Sequence, residues 1–183
     1  SNPTEYDGLR MMPFHSEMSD AVFMGGPLLS LAGSLGKSQY FNACLSHLQA
    51  CASMNQLENG LYRHSPLDQA AWGRGNGFAA LGAAMSLVQV PHNTKGWEQS
   101  KASFVKHIEA LVKHQGVTGS WHQVIDHPES YPEFTSTCMI AAAIKIGVNG
   151  GILDPSDYSQ VLEKAELATL RRIAADGSIN NVC

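Results

Sequence analysis

The feature that most constrains this chain is a repeat marked by glycines. Four segments read alike: YDGLRMMPFH, ENGLYRHSPL, VTGSWHQVID and ADGSINNVC. Their glycines, Gly8, Gly60, Gly119 and Gly177, stand 52, 59 and 58 residues apart. Each interval holds two helical patterns of different character. In the first, residues 19–35 are apolar nearly all round, and residues 38–56 carry one apolar face through Tyr40, Cys44, Leu48 and Cys51. In the second, residues 75–90 are small and apolar, and residues 95–115 are amphipathic, with Trp97, Phe104, Ile108 and Leu111 on the inner side. In the third, residues 134–147 are small and apolar. Residues 155–175 are charged and amphipathic, opened by Pro155 and Ser156 as helix-start signals. A helix without a polar face must be enclosed, and a helix with one apolar stripe can cover it. Repeating that inner/outer pair predicts an all-α fold, an α/α toroid of helical hairpins. Period-2 segments are wanting, except for short extended pieces at GLYRH and GSWHQ.

Three hairpins do not close a ring. Six at this period need about 350 residues, and the chain has 183. Residues 1–183 therefore read as a single incomplete toroid domain, whose open flanks would be apolar and prone to self-association. With 44% hydrophobic and 15% charged residues the chain is globular. Its net charge of −4 and the lack of a basic run speak against a nucleic-acid partner. The apolar stretches are Ala-rich and interrupted, so no membrane span is expected. Cys44, Cys51, Cys138 and Cys183 form no CxxC pair and show no zinc or disulfide spacing. They read as free thiols in a reducing, cytoplasmic compartment. The opening SNPTEYDG has no Met, so a signal peptide ahead of it stays open.

The loop after each glycine mark feeds the N-terminus of an inner helix, and these N-termini should point to one end of the arc. Polar residues crowd there: Asp20, His64, Asp68, Trp72, Arg74, Trp121, His122, Gln123 and Glu133. The mixture suits a sugar acid, since aromatic faces stack on sugar rings, Arg grips a carboxylate and a carboxylic acid donates a proton. In WGRGNGF, glycines surround Arg74 and Asn76 at a helix start, although Gly costs about 1 kcal/mol in a helix relative to Ala. They would let the backbone approach an anion at the positive end of the helix dipole. The plainer alternative is a run of turn glycines beside a surface Arg. Plainer roles also stand beside the other candidates. Asp20 can cap a helix, Asp68 can serve the turn after Pro66, and His64 can be an ordinary loop residue. Trp72 and Trp121 can anchor hairpins. His107 and His114, seven apart on an outer helix, read as solvated or partly buried surface.

GLYRHSPLDQAAWGRGNGF, GSWHQV…YPEFTST and DAVFMGGPLL resemble the unsaturated glucuronyl and rhamnogalacturonyl hydrolases, glycoside hydrolase families 88 and 105, from about Gly8 to Cys183. The resemblance implies an (α/α)6 barrel about twice as long, so that this chain would lack the first helices and several of the last. It implies release of a Δ4,5-unsaturated uronic acid from lyase-generated oligosaccharides, with no metal or organic cofactor. In that reaction an aspartic acid protonates the vinyl ether and water adds at C5. On the motif positions, Asp20 matches the Asp before FMGGP. Asp68 is the carboxylate of the short loop between GLYRH and WGRGNG, taken as acid/base with Asp20 as its partner. His64, Trp72 and Arg74 fall on motif positions and would bind the sugar, joined by Trp121, His122 and Gln123. The rival readings are an inactive fragment or sugar-acid-binding pseudoenzyme, and an unrelated α/α-toroid enzyme using a metal or diphosphate. The missing Asp-rich motif argues against the latter.

Overall fold

In the computed structural model, which describes residues 4–12 and 17–182, each glycine mark is a turn, and the last three share one design. Gly8, Gly60, Gly119 and Gly177 have φ between +73° and +94°, the left-handed region that a Cβ disfavours. In the last three, the glycine N–H donates to the carbonyl three residues back, at Leu57, Gly116 and Ala174. Those same three residues donate their N–H groups to Leu61, Ser120 and Ser178. A glutamine amide then latches two of the turns to the following outer helix. Gln56 Nε2 donates to the carbonyls of Gly60 and Ser103, and Gln115 Nε2 to those of Gly119 and Val161.

The elements are β1 (Thr4–Tyr6), β2 (Leu9–Met11), α1 (Ala21–Ser34), α2 (Gln39–Asn55), α3 (Gly73–Leu87), α4 (Trp97–Lys113), α5 (Phe134–Asn149) and α6 (Pro155–Leu170). Helices α1, α3 and α5 form the inner row, with α3 packed between the other two. Helices α2, α4 and α6 each back one inner helix, giving three successive α/α hairpins. The core lies between the rows, around Leu45, Leu48, Leu87, Phe104, Ile108, Leu111, Ile140 and Ile144. Indole N–H groups stitch it to helix ends, from Trp97 to the Leu87 carbonyl and from Trp121 to the Leu111 carbonyl. Among the described residues no helix is long and apolar enough to cross a membrane.

Three differences from the sequence reading have physical causes. Strands β1 and β2 pair antiparallel around Asp7 and Gly8, both at positive φ, the geometry of a two-residue Asp-Gly hairpin. Helix α1 is not enclosed all round: Met24, Leu28, Leu31 and Leu35 form an apolar stripe exposed by 64, 58, 50 and 76%. Leu28 and Leu31 share a groove with Met85 and Gln89 at the end of α3, and the stripe stays open to solvent among the described residues. His107 is not surface but buried, because its position on α4 faces α3 and not solvent.

Candidate active site

The site begins where two inner helices start. Ser19 N–H donates to the His64 carbonyl at 2.8 Å, which sets Asp20, at the start of α1, beside the chain leaving the second glycine turn. Residues 71–73 pair with 123–125 through Ile125 N–H to the Ala71 carbonyl and Gly73 N–H to the Gln123 carbonyl. That pairing brings Gln123 against the start of α3. The result is a cavity of about 270 Å³ lined by Asp20, His64, Trp72, Arg74, Gly75 and Gln123. Pockets for drug-sized ligands run from about 300 to 1,000 Å³, so this one suits a single sugar-sized group. Five of its six lining residues are candidates read from the sequence.

The glycines of α3 have a use different from the expected one. A Cβ on Gly73 would strike the His122 carbonyl oxygen, one on Gly77 would meet Met139, and one on Gly82 would meet the α1 backbone at Val22 and Phe23. These glycines therefore let α1 and α5 approach α3. Gly75 alone lines the cavity, and a Cβ there would meet Ser19 Oγ at 2.6 Å. Close packing of neighbours, not approach to an anion, accounts for most of the run.

Asp20 does not cap α1, because its side chain accepts no helix N–H. The Ser19 hydroxyl donates to Asp20 Oδ1 at 3.4 Å, and the carboxylate lines the cavity. Asp68 sits behind Trp72. Its Oδ2 accepts the Trp72 indole N–H at 2.9 Å and its Oδ1 accepts the Ala70 N–H at 3.0 Å. The Trp72 bond foremost, then the Ala70 amide, hold the Asp68 carboxyl below the usual carboxylate range. The loop carrying it is a tight turn, in which Ser65 and Asp68 exchange two backbone hydrogen bonds. Asp68 thus reaches the cavity through one lining residue and is not itself part of the wall.

Three other candidates lie elsewhere. Trp121 is fully buried, so its ring is a core anchor between hairpins and offers no face to a sugar. His122 is half-buried and turns its Nδ1 to the Ser130 carbonyl. Glu133 caps α5, its carboxylate accepting from Thr135 N, Thr135 Oγ1 and Ser136 N. Burial pushes the Glu133 carboxyl up, but these hydrogen bonds outweigh it and hold the group below its usual range. The glycine run was expected to bring backbone to the ligand, and Gly75 does line the cavity; Asn76, behind it, was not among the candidates. A single amide between glycines in an otherwise small, apolar helix was the available signal.

Paired helices in this order, with a cavity at the inner-helix starts, are the architecture of an (α/α)6 barrel, of which the chain forms three consecutive hairpins. The glycosyl hydrolase family 88 protein from Bacteroides vulgatus superposes with a TM-score of 0.84 at 25% identity, over 91% of this chain and 53% of that one. The unsaturated glucuronyl hydrolase from Bacillus sp. GL1 superposes with a TM-score of 0.65 at 16% identity, over 94% and 48%. The chain belongs to Glycosyl Hydrolase Family 88, whose profile matches residues 14–183. It is 33% identical over 113 residues to the unsaturated rhamnogalacturonyl hydrolase YesR of Bacillus subtilis (strain 168). It is 30% identical over 111 residues to the unsaturated 3S-rhamnoglycuronyl hydrolase of Alteromonas sp. (strain LOR). These matches cover 61 and 60% of this chain but 30 and 27% of the two relatives.

Proposed function

We propose that the chain carries part of the active site of an unsaturated uronyl hydrolase, which releases a Δ4,5-unsaturated uronic acid from lyase-generated oligosaccharides. One observation carries this reading: Asp20, His64, Trp72, Arg74 and Gln123, from four separate stretches of sequence, line one sugar-sized cavity. Arg74, in the first turn of α3, pairs with the uronate carboxylate, helped by the positive end of the helix. The Trp72 ring offers an apolar face, and His64 and Gln123 offer hydrogen-bond groups to hydroxyls. Asp20, the carboxylate in the cavity wall, gives its proton to C4 of the double bond. A water oxygen bonds to C5, and the proton that water loses returns to the carboxylate. The hemiketal at C5 then opens and frees the saccharide. Asp68 is the second carboxylate, and it acts through Trp72: held ionised by the indole N–H and the Ala70 amide, it fixes the ring that the sugar meets. The free thiols of Cys44, Cys51 and Cys138 are in keeping with a cytoplasmic location.

The test follows the double bond's absorbance with an unsaturated rhamnogalacturonan disaccharide and an unsaturated glucuronyl disaccharide. We expect one of them to be consumed, with kcat falling about 10²-fold or more in Asp20→Asn. Binding without turnover would assign a sugar-acid-binding protein instead. Full activity in both Asp20→Asn and Asp68→Asn would refute the site.

A further inference from the structure

Asn76 has every hydrogen-bonding position of its amide filled. Oδ1 accepts from Tyr62 N–H at 2.8 Å and lies 3.0 Å from His107 Nε2. Nδ2 donates to the Tyr62 carbonyl at 2.8 Å and to the Trp72 carbonyl at 3.0 Å. An amide has two donor and two acceptor positions, so none is left over. Both side chains are buried, Asn76 at 0% and His107 at 1% exposure. Burial pushes the His107 pKa down to about 3, so the ring is neutral and its Nε2 carries the proton that Asn76 Oδ1 accepts. The Tyr62 ring packs on the imidazole with centroids 4.7 Å apart.

The third repeat provides an internal comparison. Thr137 is the fourth residue of α5, as Asn76 is of α3. Its hydroxyl accepts Trp121 N–H at 3.0 Å and donates to the Glu133 carbonyl. Ala165, 58 residues after His107 as Val161 is after Ser103 and Lys164 after Lys106, stands on α6 where the second repeat has the imidazole. The third repeat thus holds its post-glycine segment with one hydroxyl and the Glu133 N–H, which donates to the Trp121 carbonyl. The second repeat gives both of these bonds to the Asn76 amide and braces that amide with a buried ring. What sets it apart is what it joins. Tyr62 leads into His64, and Trp72, Arg74 and Gly75 open α3, so the two clamped segments form facing walls of the cavity.

We propose that Asn76 and His107 are positioning residues, a buried clamp that fixes the spacing between the His64 wall and the Trp72–Arg74 wall and so tunes the site's affinity for its uronate. The clamp rests on the functional reading above, and its test separates the two. Three variants of the full chain are compared. His107→Leu removes the donor at similar bulk, His107→Gln restores an N–H, and Asn76→Thr installs the third repeat's own arrangement. Melting temperature, KM, kcat and the Trp72 indole N–H resonance, assigned through Trp72→Phe, are recorded for each. We expect His107→Leu and Asn76→Thr to raise KM about tenfold, the equivalent of one lost buried hydrogen bond. The Trp72 resonance should shift with KM, and His107→Gln should bring both back. A lower melting temperature with unchanged KM and resonance would overturn the clamp. Asn76→Thr decides the matter if His107→Leu does not fold. If the wild-type chain converts no unsaturated disaccharide, the functional reading fails, and the resonance alone judges the clamp. A shift restored by His107→Gln supports it, and no shift refutes it.

Discussion

Replacing Gly82 by Ala should drive the first and second inner helices apart. A Cβ built on Gly82 lies 2.5 Å from both Phe23 N and Phe23 Cα and 2.7 Å from the Val22 carbonyl carbon. Ordinary carbon contacts lie at about 3.5–4.0 Å, so α1 and α3 must separate by about 1 Å. All three atoms are backbone, and no rotamer change relieves them. Overpacking of this kind costs about 3 kcal/mol at the upper end of its usual range. Ala returns about 1 kcal/mol in helix propensity, leaving a net loss of about 2 kcal/mol. For a domain of this size that lowers Tm by about 4–8 °C. Gly77→Ala is the matched control. Its new Cβ meets Met139 Cε at 2.8 Å and Met139 Cβ at 3.1 Å. A methionine end can swing away, so the change should stay within about 0.5 kcal/mol of neutral. Urea denaturation and calorimetry of the two variants give the comparison. If Gly82→Ala is as stable as Gly77→Ala, glycine packing does not set the inner-helix spacing, and the account of the α3 glycines is wrong.

Two predictions concern protonation. The Trp72 indole N–H resonance should titrate with Asp68, with a midpoint below the ordinary 3.8, and should lose that titration in Asp68→Asn. Because the folded pKa is lowered, the contribution of Asp68 to stability is present above the unfolded value and is lost as pH falls through the folded one. A midpoint at or above 3.8 contradicts the hydrogen bond. His47 and His107 are both held neutral, His47 by burial against the opposing pull of the Ala21 carbonyl, and His107 by burial alone. The unfolded chain protonates them below about 6.5, so their stabilisation is complete above that pH and is lost as pH falls below it, for His107 down to about 3. Each contributes a slope of at most about 1.4 kcal/mol per pH unit. His107→Gln should reduce the slope of unfolding free energy between pH 6 and 4 by up to that amount. Parallel slopes for wild type and variant would refute it.

The helices were legible because their periods are strong and their ends are signed. Pro155 occupies the first turn of α6, and Asp154 caps it by accepting from Ser156 N–H. The glycine marks were legible as a repeat because each is a turn at positive φ, and the pair of helices between them sets the spacing. The cavity wall was legible where a residue sits at the start of an inner helix, as Asp20 and Arg74 do. What failed depended on partners far along the chain. Trp121 read as a sugar platform because nothing local shows that its ring turns towards Leu111. His107 read as surface because its partner, Asn76, is 31 residues away on another helix. The α3 glycines read as a ligand loop because the atoms that crowd them belong to α1 and α5.

The glutamine latches have a consequence for divergence. Gln56 and Gln115 each grip main-chain oxygens of the following outer helix, at Ser103 and Val161. A carbonyl is present whatever the side chain, so the gripped helix can change its sequence without losing the hold. Hairpin-to-hairpin pitch is thereby written in the backbone.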